Sequence, residues 1–135
     1  MTAEYRAVLQ KEIKKMRVSP GEAFLIFQDE AAGGDPEGLF KFGLLCEIET
    51  QSFDCFLKSA ELGYGPAQHI VGLCYFDGFG VKENNAEAFE WFKKAAEQGI
   101  AGAQLSLGML FCVGQGTEKN IPLAIYTSND MYILS

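Results

Sequence analysis

Apolar and polar residues follow one another in this chain with a helical rhythm. Over residues 2–17, Tyr5, Val8, Leu9, Ile13 and Met16 gather on one side, which predicts an amphipathic helix with its charges opposite. Ser19-Pro20-Gly21-Glu22 reads as a capping box with proline at the first helical position, and the helix it opens is expected to reach Gly33-Gly34. Further on, Ala88, Trp91, Phe92, Ala95 and Ala96 recur at spacings of three and four and predict another helix with one face in a core.

The same phrase then appears twice. "AELGYGPAQHIVGLCYFDGFGV" begins at Ala60 and "AEQGIAGAQLSLGMLFCVGQGT" at Ala96, 36 residues later. Aligning 60–88 with 96–124 gives ten identities: Ala60/Ala96, Glu61/Glu97, Gly63/Gly99, Ala67/Ala103, Gln68/Gln104, Gly72/Gly108, Gly78/Gly114, Gly80/Gly116, Asn84/Asn120 and Ala88/Ala124. A period of this length marks stacked supersecondary units, none of which can bury its apolar face alone.

The matched positions describe a helical hairpin. Gly63 and Gly99 follow apolar helical runs and suit the left-handed residue that stops a helix. Ala67, Val71, Gly72 and Tyr75 form the core stripe of the next helix, with small residues where a neighbouring backbone must approach, and Ala103, Leu107, Gly108 and Phe111 repeat it. "DGFG" and "VGQG" supply a tight turn, after which Asn84 and Glu87 resemble a capping box.

The whole pattern, A-E-x-G-x-x-x-A-Q-x-x-x-G-x-x-Y-x-x-G-x-G-V followed by E-A-x-x-W-F-K-K-A-A-E-x-G, resembles the Sel-1-like repeat, a relative of the tetratricopeptide repeat. The resemblance implies an all-α fold in which about seven or eight helices stack as helix-turn-helix units into a right-handed α-α superhelix. One solenoid domain is expected over 1–135, with a divergent leading hairpin at 1–33, a short first repeat at 34–62, a second at 63–98 and a third at 99–135. In the first repeat, Gly34, Pro36, Gly38 and Gly43 align at an offset of 29, while Phe53, Phe56 and Ala60 align at 36. The seven absent residues are assigned to the glycine turn, replaced by a short link near Glu49 and Thr50. After Ala124 the motif fades. A last helix from about Ile121 is expected to end early or run irregularly, and Met131 to Leu134 either cap the array or leave it open to a further unit or to self-association through that end.

Composition narrows the function classes. Residues 1–17 carry Arg6, Lys11, Lys14, Lys15 and Arg17 against Glu4 and Glu12, a charge of +3, so the remainder carries −10 of the −7 total. An acidic body repels phosphate backbones and anionic lipid, so neither nucleic acid nor membrane is expected as a partner. No apolar run approaches the length of a membrane span, and the first residues lack a signal-peptide core. Cys46, Cys55, Cys74 and Cys112 are too few and too irregularly spaced for a disulfide framework. A reducing, cytoplasmic setting is the expectation, with a Cys46–Cys55 bond left open.

Chemistry finds little to work with. His69 is the only histidine, so no triad, two-histidine metal site or histidine-paired cysteine relay is expected without further copies of the chain; it is expected at the surface or in a groove. The cysteine separations of 9, 19 and 38 do not pair like zinc ligands. "GFGVKENN" lacks the strand and the GK[ST] of a phosphate loop. No metal or cofactor is expected. A cysteine-rich branch of Sel-1-like proteins is associated with penicillin binding and hydrolysis, and the resemblance places its disulfides at Ala60 with Gln68 and Ala96 with Gln104, none of them cysteine here.

Binding is the remaining expectation. By the tetratricopeptide relation, the concave surface falls to Phe40 and Leu44, to His69, Leu73 and Phe76, and to Leu105, Met109 and Cys112. Most are apolar. They either line a groove for a peptide or helix from a protein partner, with Glu47 and Asp77 favouring a basic ligand, or pack against one another. A noncatalytic scaffold or adaptor is the leading expectation. The alternatives are a segment of a larger or self-assembling array and, remotely, a β-lactam hydrolase.

Overall fold

The computed structural model describes residues 3–113, with side chains through 111. Among these residues there are seven helices and no strand: α1 (Ala3–Met16), α2 (Pro20–Ala32), α3 (Pro36–Leu45), α4 (Glu49–Glu61), α5 (Gly65–Asp77), α6 (Asn85–Glu97) and α7 (Ala101–Val113). The turn at Gly114 and Gly116, the helix expected from Ile121 and the ending at Met131 to Leu134 lie outside the described residues.

Local signals set most boundaries. Ser19 Oγ accepts from the Glu22 N–H at 3.2 Å while the Ser19 N–H donates to Glu22 Oε2 at 2.8 Å, which completes the capping box that opens α2. Asn84 Oδ1 accepts from the N–H groups of Ala86 and Glu87 at the start of α6. Gly63 and Gly99 stand at φ +92° and +84°, in the left-handed region expected of a helix stop.

Each helix from α2 onward packs on the next, so the chain builds a ladder of nearest neighbours. Phe27, Phe56, Ile70, Val71 and Cys74 form one buried cluster, and Ala88, Phe92, Leu107, Leu110 and Phe111 continue it at the far end. Gly72 is small for a reason slightly different from the one expected. A β-carbon there would stand 2.5 Å from the ring of Phe92, so a side chain and not a backbone needs the space.

The first repeat is short for two reasons, not one. α3 has 10 residues where α5 has 13, and its link to α4 spans residues 46–48 where the α5–α6 link spans 78–84. Three residues are thus missing from the helix and four from the turn. Glu49 and Thr50, expected in the link, already belong to α4. α3 ends at Cys46, whose extended backbone at φ −68° and ψ 139° turns the chain at once, whereas α5 runs on to Gly78 at φ +74°.

α1 is the exception to the ladder. Its principal packing is on α3, the helix that α2 also meets. Leu9 and Ile13 are buried there, with Tyr5 and Met16 partly so, while Val8, expected on the same face, is 64% exposed. A helix resting on one neighbour buries a narrow stripe, and Val8 lies at its edge.

Candidate apolar binding face on α3, α5 and α7

The first helices of successive units carry the residues assigned to binding, and they divide into a covered part and an open part. Phe40 and Leu44 on α3 and His69 on α5 are buried. His69 is therefore not a surface residue, because α1 lies over it. The Tyr5 ring meets Phe40 edge-on, with centroids 5.4 Å apart at 89°, and its hydroxyl is hydrogen-bonded to His69 Nδ1 at 2.8 Å. Phe40 also meets Tyr64 at 5.4 Å and Phe56 at 5.8 Å, so three aromatic rings pack around it.

The protonation states suit that hydrogen bond. Burial raises the pKa of Tyr5, with Glu4 adding to the rise, so the phenol keeps its proton. Burial lowers the pKa of His69 against a weaker opposing pull from Glu4, which favours the neutral imidazole. On its other side His69 meets α7: a β-carbon on Gly102 would stand 2.7 Å from His69 Cε1. Gly102 is the reason α7 can come so close.

A second tether joins α1 to α3. Lys41 Nζ lies 2.6 Å from Glu12 Oε1 on α1 and 3.0 Å from Glu37 Oε1. Burial alone would lower the Lys41 pKa, but the hydrogen bonds to Glu12 and Glu37 outweigh it and the ammonium is held charged.

Two clefts remain on opposite flanks of Leu9. One, of about 300 Å³, is lined by Tyr5, Val8, Phe40, Tyr64 and Pro66. The other, of about 470 Å³, is lined by Arg6, Gln10, Leu44, Glu47, Glu49 and Phe79. α1 thus covers the apolar surface without filling it.

The open part lies toward α7. Leu73 is half-buried against the far core cluster, Phe76 is exposed, and Leu105 and Met109 are 55% and 60% exposed. The side chain of Cys112 lies outside the described residues. Glu47 and Asp77, expected to flank the face, are exposed. Among the described residues, no group of three or more histidine, cysteine, aspartate or glutamate side chains could hold a metal ion, and no helix is long and apolar enough to cross a membrane.

Sequence reasoning assigned Gln68 and Gln104 no structural role. Gln68 Nε2 donates to the Ala60 carbonyl at 3.2 Å, and Gln104 Nε2 donates to that of Ala96 at 3.3 Å. The signal was present in the paired identities, one glutamine and one alanine eight residues apart in each copy.

Comparisons with known proteins agree with this architecture. The Sel1 repeat profile matches residues 49–64, 65–100 and 101–126. No curated protein matches the sequence. Among solved structures, a Sel1 repeat protein from Oxalobacter formigenes superposes with a TM-score of 0.74 at 28% identity, covering 78% of this chain and 86% of that one. The protective antigen c5321, present in uropathogenic Escherichia coli strains and displaying an SLR fold, gives the same TM-score and identity over 79% of this chain. This chain spans about a quarter of that protein, 25% of its length.

Proposed function

The chain belongs to the Sel1 repeat family, and on that premise we propose that it is a noncatalytic interaction scaffold whose α3–α5–α7 face receives a peptide or an amphipathic helix. The family's helical repeats generally serve as scaffolds for protein partners, and stacked hairpins offer an extended surface for that purpose. The observation that carries the reading is the pair Leu105 and Met109, one helical turn apart and each more than half exposed. They lie on the same stripe of α7 as Gly102, which abuts His69. Single exposed apolar side chains are ordinary; a row that extends a surface already covered at one end by a helix is a docking geometry. Exposed Glu47 and Asp77 favour a basic ligand.

Affinity capture with the parent chain, Leu105→Asp and Met109→Asp tests the reading once matched circular dichroism has shown that both variants fold. Partner capture should fall at least tenfold in each. Undiminished capture by both rejects the face. Ala60 and Gln68, where the resemblance places the disulfide of the hydrolase-associated branch, are joined instead by a hydrogen bond from the glutamine side chain to the alanine carbonyl. A chromogenic β-lactam should not turn over.

A further inference from the structure

We propose that α1 is a resident but exchangeable ligand of the α3–α5 part of this face, displaced by a partner's basic amphipathic helix with an aromatic residue, a leucine and a branched apolar residue at i, i+4 and i+8. This deepens the scaffold reading and rests on it.

The case begins with what α1 covers. Phe40, Leu44 and His69 belong to the concave set proposed above to bind a ligand, and α1 packs on Phe40 and His69 while its Leu9 lines the same clefts as Leu44. It does so in the manner of a helix in a groove, with Tyr5, Leu9 and Ile13 as successive anchors. Two polar contacts fix its register, Tyr5 to His69 and Glu12 to Lys41. Its charge is opposite to that of the body it rests on, since residues 1–17 carry +3 against −10 for the rest of the chain. Arg6 of α1 lines the same cleft as Glu47 and Glu49.

The attachment is built to come away. The other helices pack along the ladder, whereas α1 rests chiefly on α3. Clefts flank it on both sides of Leu9, the one beside Tyr5, Phe40 and Tyr64 largely apolar and the other of mixed polarity, so an incoming helix has surface to engage before α1 has left. The connection to α2 begins at Arg17, whose φ of 57° lies in the left-handed region that non-glycine residues occupy at a cost. Release of α1 lets that residue relax. Full seating of an outside helix requires α1 to leave, so its apparent affinity falls in proportion to the undocked fraction.

The test uses the full-length chain and a fluorescent synthetic peptide of residues 2–18 as the probe. Anisotropy titration should show the Leu9→Asp/Ile13→Asp chain binding the peptide at least tenfold more tightly than the parent. A peptide carrying the same two changes should bind neither chain. Equal affinity in parent and variant overturns the proposal. Should the variant fail to fold, hydrogen exchange on the parent decides instead: α1 amides should open at least a hundredfold more often than those of α4 and α5, and faster still with peptide present. Exchange of α1 in step with the core overturns it. A dimer that the peptide dissolves into monomers names α1 of a second copy as the occupant, and overturns the partner assignment. These failures are separable from failure of the scaffold reading, because Leu105→Asp and Met109→Asp report on a part of the face that α1 does not cover.

Discussion

Gln68 on α5 closes the end of α4: its side-chain amide donates to the carbonyl of Ala60 at 3.2 Å, beside the N–H of Gly63, which donates to the same oxygen at 3.0 Å. Helix ends leave carbonyls without intrahelical partners, and here a buried glutamine on the next helix supplies one. Its own Oε1 accepts from Gln98 Nε2 at 2.8 Å, and that same amide donates to the Gly63 carbonyl at 2.9 Å. The arrangement recurs one repeat later, where Gln104 and the Gly99 N–H both donate to the Ala96 carbonyl.

Loss of that amide should loosen the seam between α4 and α5. Gln68→Met keeps much of the volume but removes both the donor to Ala60 and the acceptor of Gln98, and should cost about 1–2 kcal/mol, the net worth of two hydrogen bonds. Gln68→Glu should cost more, because a buried carboxylate would face a carbonyl with no proton to offer. Urea unfolding of the two variants beside the parent gives the ranking, and a reversed order would refute it.

The contact of Gly72 with Phe92 makes an opposite pair of glycine predictions. Gly72→Ala drives a methyl into the Phe92 ring and should destabilise by about 1–3 kcal/mol, as overpacking does. Gly21→Ala, in the first turn of α2 with nothing within 4 Å of the added carbon, should stabilise by up to about 1 kcal/mol through helix propensity. Thermal midpoints should move in opposite directions.

Acid should loosen the fold through His69. Burial holds its folded-state pKa below the ordinary 6.5, so below that pH the unfolded chain takes up a proton that the native imidazole resists. Stability contributed by the neutral ring is therefore complete above about pH 6.5 and is lost as pH falls through the lowered folded value. The difference in unfolding free energy between the parent and His69→Gln should stay flat above pH 7 and shrink toward pH 5, since the carboxylates common to both cancel. A flat difference throughout would exclude the histidine as the cause.

The thiols should differ in reactivity. Burial pushes the Cys74 thiol up to about 12 and, with the neighbouring Cys46, the Cys55 thiol up to about 11. At pH 8, Cys74 then holds roughly a thousandfold less thiolate than an ordinary cysteine. Peptide mapping after an iodoacetamide pulse should find it unlabelled in the native chain and labelled in urea. Rapid native labelling would mean that α5 opens readily.

Much of the fold could be read directly because it is written in local terms. The capping box at Ser19, the cap at Asn84 and the stops at Gly63 and Gly99 each depend on residues a few positions apart. The end of α3 was harder, since no glycine marks it and an extended Cys46 does the work. Of the proposed binding face, the candidate residues follow from repeat position, but which of them lie open does not. Leu105 and His69 occupy neighbouring lines of the same pattern, yet one is exposed and the other covered.

By itself, the order of residues determined the helices, their caps and the 36-residue unit, because hydrogen bonds and side-chain spacing within a helix act over three or four positions. Only the tertiary structure decided where α1 rests. An amphipathic stripe declares that it will be buried without naming what buries it, since apolar attraction has no direction. The contact of Tyr5 with a histidine 64 residues away settles it, through ring packing and one hydrogen bond that no local pattern encodes.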